Sequence, residues 1–392
     1  MKNIFKIILV ILTIIIIVLI IKKYYDNKFE NFSSLNTIDR VKIYHLKSRE
    51  PKEGVINPFP ASVGSKVLWA YICGETTNPN DYKIDFNYLK SQYPNYICLS
   101  FAKIVGSTLM WNNAGCGQYD KGFLTNLKKM HDIGVCISIS IGGGTDSTFT
   151  KVTDIPTFVN SFEMMRSLLV GVDGIAFIDG IDFDIEDFGT SVYPEMGENF
   201  NDIARAMKQK GYVVTAVPAA SQLTPGCGYS WAGNKNNLIN LDFNLFDGVM
   251  IQWYQGGCLA GNSGICPSNG LGAINILSAF SGTAYSKKDP NNANNPPSIG
   301  ACYGPGSQVT GKWATDCKDC TTIPSEKIVL GLQTYRLQQT LTFEDLVQVT
   351  QSGVKFAGVG FWQIGDSVYE QNGLYKNLAP KLANLWKIKP YF

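Results

Sequence analysis

From residue 67 onward, short runs rich in β-branched and aromatic residues alternate with longer stretches whose apolar positions recur at helical spacing. The strand-like runs fall at 67–73, 96–102, 135–141, 180–186, 212–219, 248–254, 328–335 and 357–363. Helix-like stretches lie between or after them at 122–131, 156–170, 196–210, 343–350 and 375–387. Strands separated by helices pair in parallel, and eight such units close on themselves, so the pattern predicts an α/β fold of the (β/α)8 TIM barrel class. One connection, 255–326, is unusually long and rich in Gly, Asn and Pro, which predicts an elaborated loop over the top face. The connection from the seventh strand to the eighth is only about one helix long, leaving no room for an insertion domain there.

The chain before the barrel has a different texture. Residues 7–21 are apolar except for Thr13 and are flanked by Lys2, Lys6, Lys22 and Lys23. With snorkelling lysines that is about 20 residues, enough to cross a bilayer as a helix. A cleaved signal peptide is the rival reading, but it should end in small residues, whereas Lys22-Lys23-Tyr24-Tyr25 follows directly. Residues 26–65 are polar, contain Pro51, Pro58 and Pro60, and show no sustained apolar period, as a linker would. The expected organisation is therefore an anchor or signal peptide at 1–25, a linker at 26–65 and the barrel at 66–392.

Charge narrows the partners. Thirty-four basic and 32 acidic residues leave a formal charge of +2, which provides no broad field to collect nucleic acid or an acidic polymer. A neutral substrate fits better. Ten cysteines, several of them in loop-like stretches (Cys227, Cys258, Cys266, Cys302, Cys317, Cys320), favour an oxidising compartment and hence the extracytoplasmic side of a membrane, or secretion. Cys73, Cys98 and Cys136 sit in apolar runs and read as buried thiols. Cys317 and Cys320 form a lone CxxC with no second pair, and the chain has two histidines, so no metal or organic cofactor is implied.

The sharpest chemical signal is Asp179-Gly180-Ile181-Asp182-Phe183-Asp184-Ile185-Glu186 on the fourth strand-like run. Strand alternation puts Asp182, Asp184 and Glu186 on one face and turns Phe183 and Ile185 toward the helices. Three carboxyls inside a barrel mouth cannot all stay ionised, and a crowded carboxyl that keeps its proton is what a general acid needs. An acidic edge strand or a divalent-cation site would show the same spacing.

The segment DGIDFDIE also matches, at every defined position, the DxxDxDxE signature of glycoside hydrolase family 18, the chitinase family, which the chain resembles over roughly 67–387. Ser140-Ile141-Gly142-Gly143, one βα unit earlier, resembles that family's SxGG motif. Gln252-Trp253-Tyr254 resembles its tyrosine-bearing motif, and Trp362 resembles the tryptophan that floors its sugar subsite.

What the resemblance implies is hydrolysis without an enzyme nucleophile. Glu186 would protonate the leaving oxygen while the substrate's own 2-acetamido group attacks, a case that departs from the two-carboxylate rule of glycosidases. Asp184 would orient that group, Asp182 and Ser140 would support Asp184, Tyr254 would donate to the acetamido oxygen, and Gly142 and Gly143 would give structural support. Trp362, Gln252, Tyr71 and Phe101 would meet the sugar, although large rings on strands most often fill a core. Asp179, off the alternating face, would brace the strand. The implied partner is chitin or another N-acetylglucosamine oligosaccharide. An endo-β-N-acetylglucosaminidase acting on N-glycans shares the same acids, and inactive sugar-binding relatives usually replace the acid position, which is Glu186 here.

Overall fold

A computed structural model describes residues 57–59, 66–73, 85–111, 121–143, 151–171, 173–184, 196–218, 241–252, 270–281, 323–333, 341–364 and 374–388, all within the compact unit Glu53–Phe392. Nine strands form one sheet: β1 (Val67–Cys73), β2 (Tyr96–Val105), β3 (Thr108–Trp111), β4 (Cys136–Gly142), β5 (Gly180–Asp184), β6 (Val213–Ala216), β7 (Gly248–Gln252), β8 (Ile328–Gln333) and β9 (Gly358–Ile364). All neighbours pair in parallel except β2 and β3, and β1 pairs with both β9 and β2, so eight strands close into a barrel. The described helices are α1 (Phe86–Ser91), α2 (Lys121–Asp132), α3 (Ile155–Leu168), α4 (Met196–Gln209), α5 (Gly270–Phe280), α6 (Phe343–Gln351) and α7 (Leu374–Leu385).

Two features depart from the sequence expectation. β2 runs past the barrel and folds back as an antiparallel hairpin with β3, pairing Ala102 with Trp111 and Val105 with Thr108. The long connection after β7, expected as a loop, contains α5, whose Ala273, Leu277 and Phe280 are buried. Helix α5 lies close against α6: Gly270 N donates to Asp345 Oδ1 at 2.7 Å, and a Cβ on Gly270 would come 2.4 Å from Gln348 Oε1. That approach needs glycine, and glycine is what disguised the helix.

Alternation sorts the strands into two cores. Outward residues such as Leu68, Ile139, Ile181, Phe183, Val214, Ile251 and Phe361 join the helices in the larger one. Inward residues Val67, Trp69, Tyr71, Tyr96, Cys98, Cys136, Val213, Met250 and Val329 fill the barrel. Phe59, from the stretch read as linker, is buried with this inner set at the N-terminal ends of the strands. Its ring meets Trp69 and Tyr96 at centroid distances of 5.9 and 5.2 Å, and Gly248 leaves the space for it. At the same end, Asp247 accepts from Val214 N and from Lys208 Nζ, and Asn57 Nδ2 donates to it at 3.3 Å.

Cys98 and Cys136 are free and buried, as the apolar runs around them suggested. Cys73's side chain, the loop cysteines and the apolar run 7–21 lie outside the described residues. Among the described residues no helix is long and apolar enough to cross a membrane.

Candidate active site

The site is built on β5. Its inward positions Asp182 and Asp184 are both almost wholly buried, while Phe183 between them packs outward against Phe200 of α4 at 4.9 Å. The strand is held from both sides, with Ser140 opposite Asp182 and Gly142 opposite Asp184 on β4, and Thr215 opposite Asp182 on β6. Arg166 of α3 adds a third restraint, its Nε donating to Ile178 O at 2.7 Å just before the strand.

Asp182 receives three hydroxyls. Tyr71 donates to Oδ2 at 2.5 Å, Ser140 to Oδ2 at 2.7 Å and Thr215 to Oδ1 at 2.6 Å. Burial pushes its carboxyl above the usual carboxylate range, against the pull of these donors and of the Cys98 thiol. Burial, and next the charge of Asp182, push the Tyr71 phenol well up, so Tyr71 remains a donor. A second row supports the first: Tyr96 Oη lies 2.8 Å from both Ser138 Oγ and Thr215 Oγ1. Thr215, Ser138 and Tyr96 were not anticipated. Alternation marks Ser138 and Thr215 as hydroxylated residues at inward positions, but that they meet through Tyr96 shows only once the strands are in register.

Asp184 is oriented by Gln252 at the end of β7, whose Nε2 donates to Oδ1 at 2.7 Å and also reaches Val217 O at 3.3 Å. On the other side Gly143 N donates to Asp184 O at 2.8 Å. Gly142 and Gly143 have φ of 111° and 77°, a region open to glycine, and a Cβ on Gly143 would fall 2.2 Å from the Phe101 ring. The Ser-x-Gly-Gly pattern thus supplies one hydroxyl to Asp182, a left-handed turn that reaches Asp184, and room for an aromatic ring.

Aromatic side chains close this end. Phe101 and Trp362 stack with centroids 5.4 Å apart and planes 21° apart, and Tyr71 meets Trp362 edge-on at 5.4 Å. Trp362 is half-buried, whereas Tyr71 and Gln252, expected among the sugar contacts, are fully buried beneath the carboxylates. The glycines before Trp362 do not clear space for a ligand: a Cβ on Gly358 would strike Val67 O at 2.0 Å, and one on Gly360 would strike Met250 Sδ at 2.0 Å. Asp179 stands at the opposite end of β5, where His131 Nε2 lies 2.9 Å from its Oδ2 and its backbone N donates to Ile137 O at 2.7 Å. Glu186 and Tyr254 lie outside the described residues. No group of three or more metal-ligating side chains occurs among the described residues.

Comparison with known proteins decides the family. The model for Glycosyl hydrolases family 18 matches residues 67–377, a span that takes in all eight barrel strands. The chain belongs to glycosyl hydrolase family 18. Its barrel is of the compact type in which β8 and β9 are joined through α6 alone among the described residues. Chitinase 2 of Candida albicans is 26% identical over 174 residues, a stretch covering 42% of this chain and 27% of that protein. The chain therefore matches about a quarter of that relative's length. Among solved structures, a fungal endo-β-N-acetylglucosaminidase of family 18 superposes with a TM-score of 0.50 at 14% identity, covering 81% of this chain and 97% of that one. A family 18 chitinase from Crocus vernus gives 0.46 at 14% identity, with coverages of 82% and 99%.

Proposed function

We propose that this family 18 hydrolase cleaves β-1,4-linked N-acetylglucosamine polymers of the chitin type by substrate-assisted catalysis. The observation that carries the reading is the state of the two described acids: Asp182 buried beneath three hydroxyl donors, and Asp184 one inward position closer to the barrel mouth, held by the Gln252 amide. Glu186 is the next residue of the same parity in the sequence and is assigned the proton that the leaving oxygen takes up.

The division of labour follows from charge. As the glycosidic bond breaks, positive charge develops on the sugar and passes to its acetamido group when the carbonyl oxygen attacks the anomeric carbon. A fixed carboxylate in a water-poor pocket stabilises that charge without having to reorganise, which is the role assigned to Asp184. Asp182, satisfied by three hydroxyls, holds the strand and the neighbouring carboxyl in place rather than touching the sugar. Tyr254 is assigned the hydrogen bond to the acetamido oxygen, and the half-buried Trp362, stacked on Phe101, the apolar face of the ring. Water then opens the oxazolinium ion on the face the leaving group vacated, with Glu186 acting as base.

The test is release of short N-acetylglucosamine oligomers from a soluble chitin derivative. The unmodified protein should release them and Glu186→Gln should lose at least about a hundredfold in kcat. Activity on a glycoprotein but not on the chitin derivative would move the substrate to N-glycans. Binding without hydrolysis would make the protein a lectin. For placement, we infer that the run 7–21 tethers the enzyme with the barrel on the extracytoplasmic side. Protein recovered in alkali-washed membranes and cleavable by protease on intact cells would agree; recovery in the medium would mean a cleaved signal.

A further inference from the structure

The hairpin formed by β2 and β3 is not needed to close the barrel, yet it rises from the strand that carries Phe101. From that residue on, alternation places Phe101, Lys103 and Val105 on one face and Ala102 and Ile104 on the other. Cross-strand pairing adds Met110 beside Lys103 and Thr108 beside Val105. The rear face is buried, with Ile104 at 1% and Leu109 at 4% exposure, and it is pinned to α3: Leu109 N donates to Ser161 Oγ at 2.8 Å. The tip is pinned as well, Ser107 Oγ accepting from Thr153 N at 3.1 Å and Asp154 N at 2.9 Å. On the front face, by contrast, Val105 is 45% and Met110 48% exposed. A rigid ribbon thus holds two large apolar side chains in water beside the half-buried Lys103, continuous with the aromatic ring that stacks on Trp362.

We propose that this face is a substrate wall that binds the N-acetylated chain beyond the sugar unit being cleaved, and that it selects acetylated over deacetylated units. The proposal rests on the chitin-type reading above and deepens it. From Phe101 to Val105 the strand advances about 13 Å, longer than a single pyranose ring, so the wall meets more than one unit. Val105 and Met110 cover acetamido methyls and the C–H faces of the rings, burying apolar surface on both partners. Lys103 donates to an acetamido carbonyl, and its cationic amine repels the ammonium of a glucosamine unit at the same place. Because the hairpin is already fixed by α3, little ordering is required on binding.

The experiment compares the full chain with Val105→Ser/Met110→Ser and with Lys103→Glu. The probes are an aryl glycoside of the N-acetylglucosamine disaccharide, the fully acetylated hexamer and a partly deacetylated chitosan. The double variant should raise KM for the hexamer about fivefold and raise it for the aryl disaccharide by a clearly smaller factor. Lys103→Glu should raise turnover of the chitosan relative to the hexamer. Equal losses on long and short probes would mean a loosened fold and would overturn the proposal, as would no change on any probe. An unmodified protein inactive on all three would instead remove the chitin-type reading itself, and the wall with it.

Discussion

Asp182 is where burial and hydrogen bonding oppose each other most directly, and the balance has a measurable sign. Its folded pKa lies above its ordinary value of 3.8, because burial outweighs the three hydroxyls and the Cys98 thiol. The folded state therefore binds the proton more tightly, and the stability this group contributes falls as pH rises from that ordinary value through the raised one. Urea unfolding between about pH 4 and about pH 7 should show the unmodified protein losing stability relative to Asp182→Asn as pH increases; a difference that stays flat would contradict it. Gln252 is buried and donates to Asp184; in the proposed mechanism it acts through that carboxylate, so Gln252→Ala should lower kcat about tenfold or more with little change in KM. A change confined to KM would place Gln252 against the substrate instead.

At the scale of elements, glycine positions and the barrel plug separate support from chemistry. Gly143→Ala forces a side chain into a φ of 77° and into the Phe101 ring, so it should displace the Phe101–Trp362 stack and weaken sugar binding, readable as quenched or shifted tryptophan fluorescence titration with oligomer. Phe59→Ala removes a ring that fills the strands' N-terminal end and should destabilise the protein by about 3–5 kcal/mol in urea while the folded fraction keeps its activity. The barrel strands were legible because both of their faces are covered, which makes most of the runs largely apolar, and the acids that interrupt β5 keep strict alternation. The hairpin was not, although Gly106-Ser107 between Ile104-Val105 and Thr108 is a two-residue turn signal; the run 103–111 mixes polar with apolar residues because only its rear face is buried. Helix α5 was hidden for the opposite reason, since Gly270 serves a close helix contact and reads in isolation as loop. Phe59 could not be assigned from pattern, because a single plug residue has no period.

For the whole molecule, the two ends of the barrel divide the work. One end is packed by Phe59, Trp69 and Tyr96 and braced by Asp179 with His131 and Asp247 with Lys208; the other presents Asp182, Asp184, Phe101 and Trp362. Of the candidate site, the carboxyl pair was readable from strand alternation and the Ser-x-Gly-Gly motif from the resemblance to the family, whereas the row of Thr215, Ser138 and Tyr96 emerges only when neighbouring strands are in register. The measurement that bears most directly on the central claim is the anomeric form of the first product released from the N-acetylglucosamine hexamer, followed by proton NMR before mutarotation. Attack by the substrate's own acetamido group followed by water predicts the β-anomer; the α-anomer would contradict it, because inversion requires a water placed opposite the leaving group by a second carboxylate.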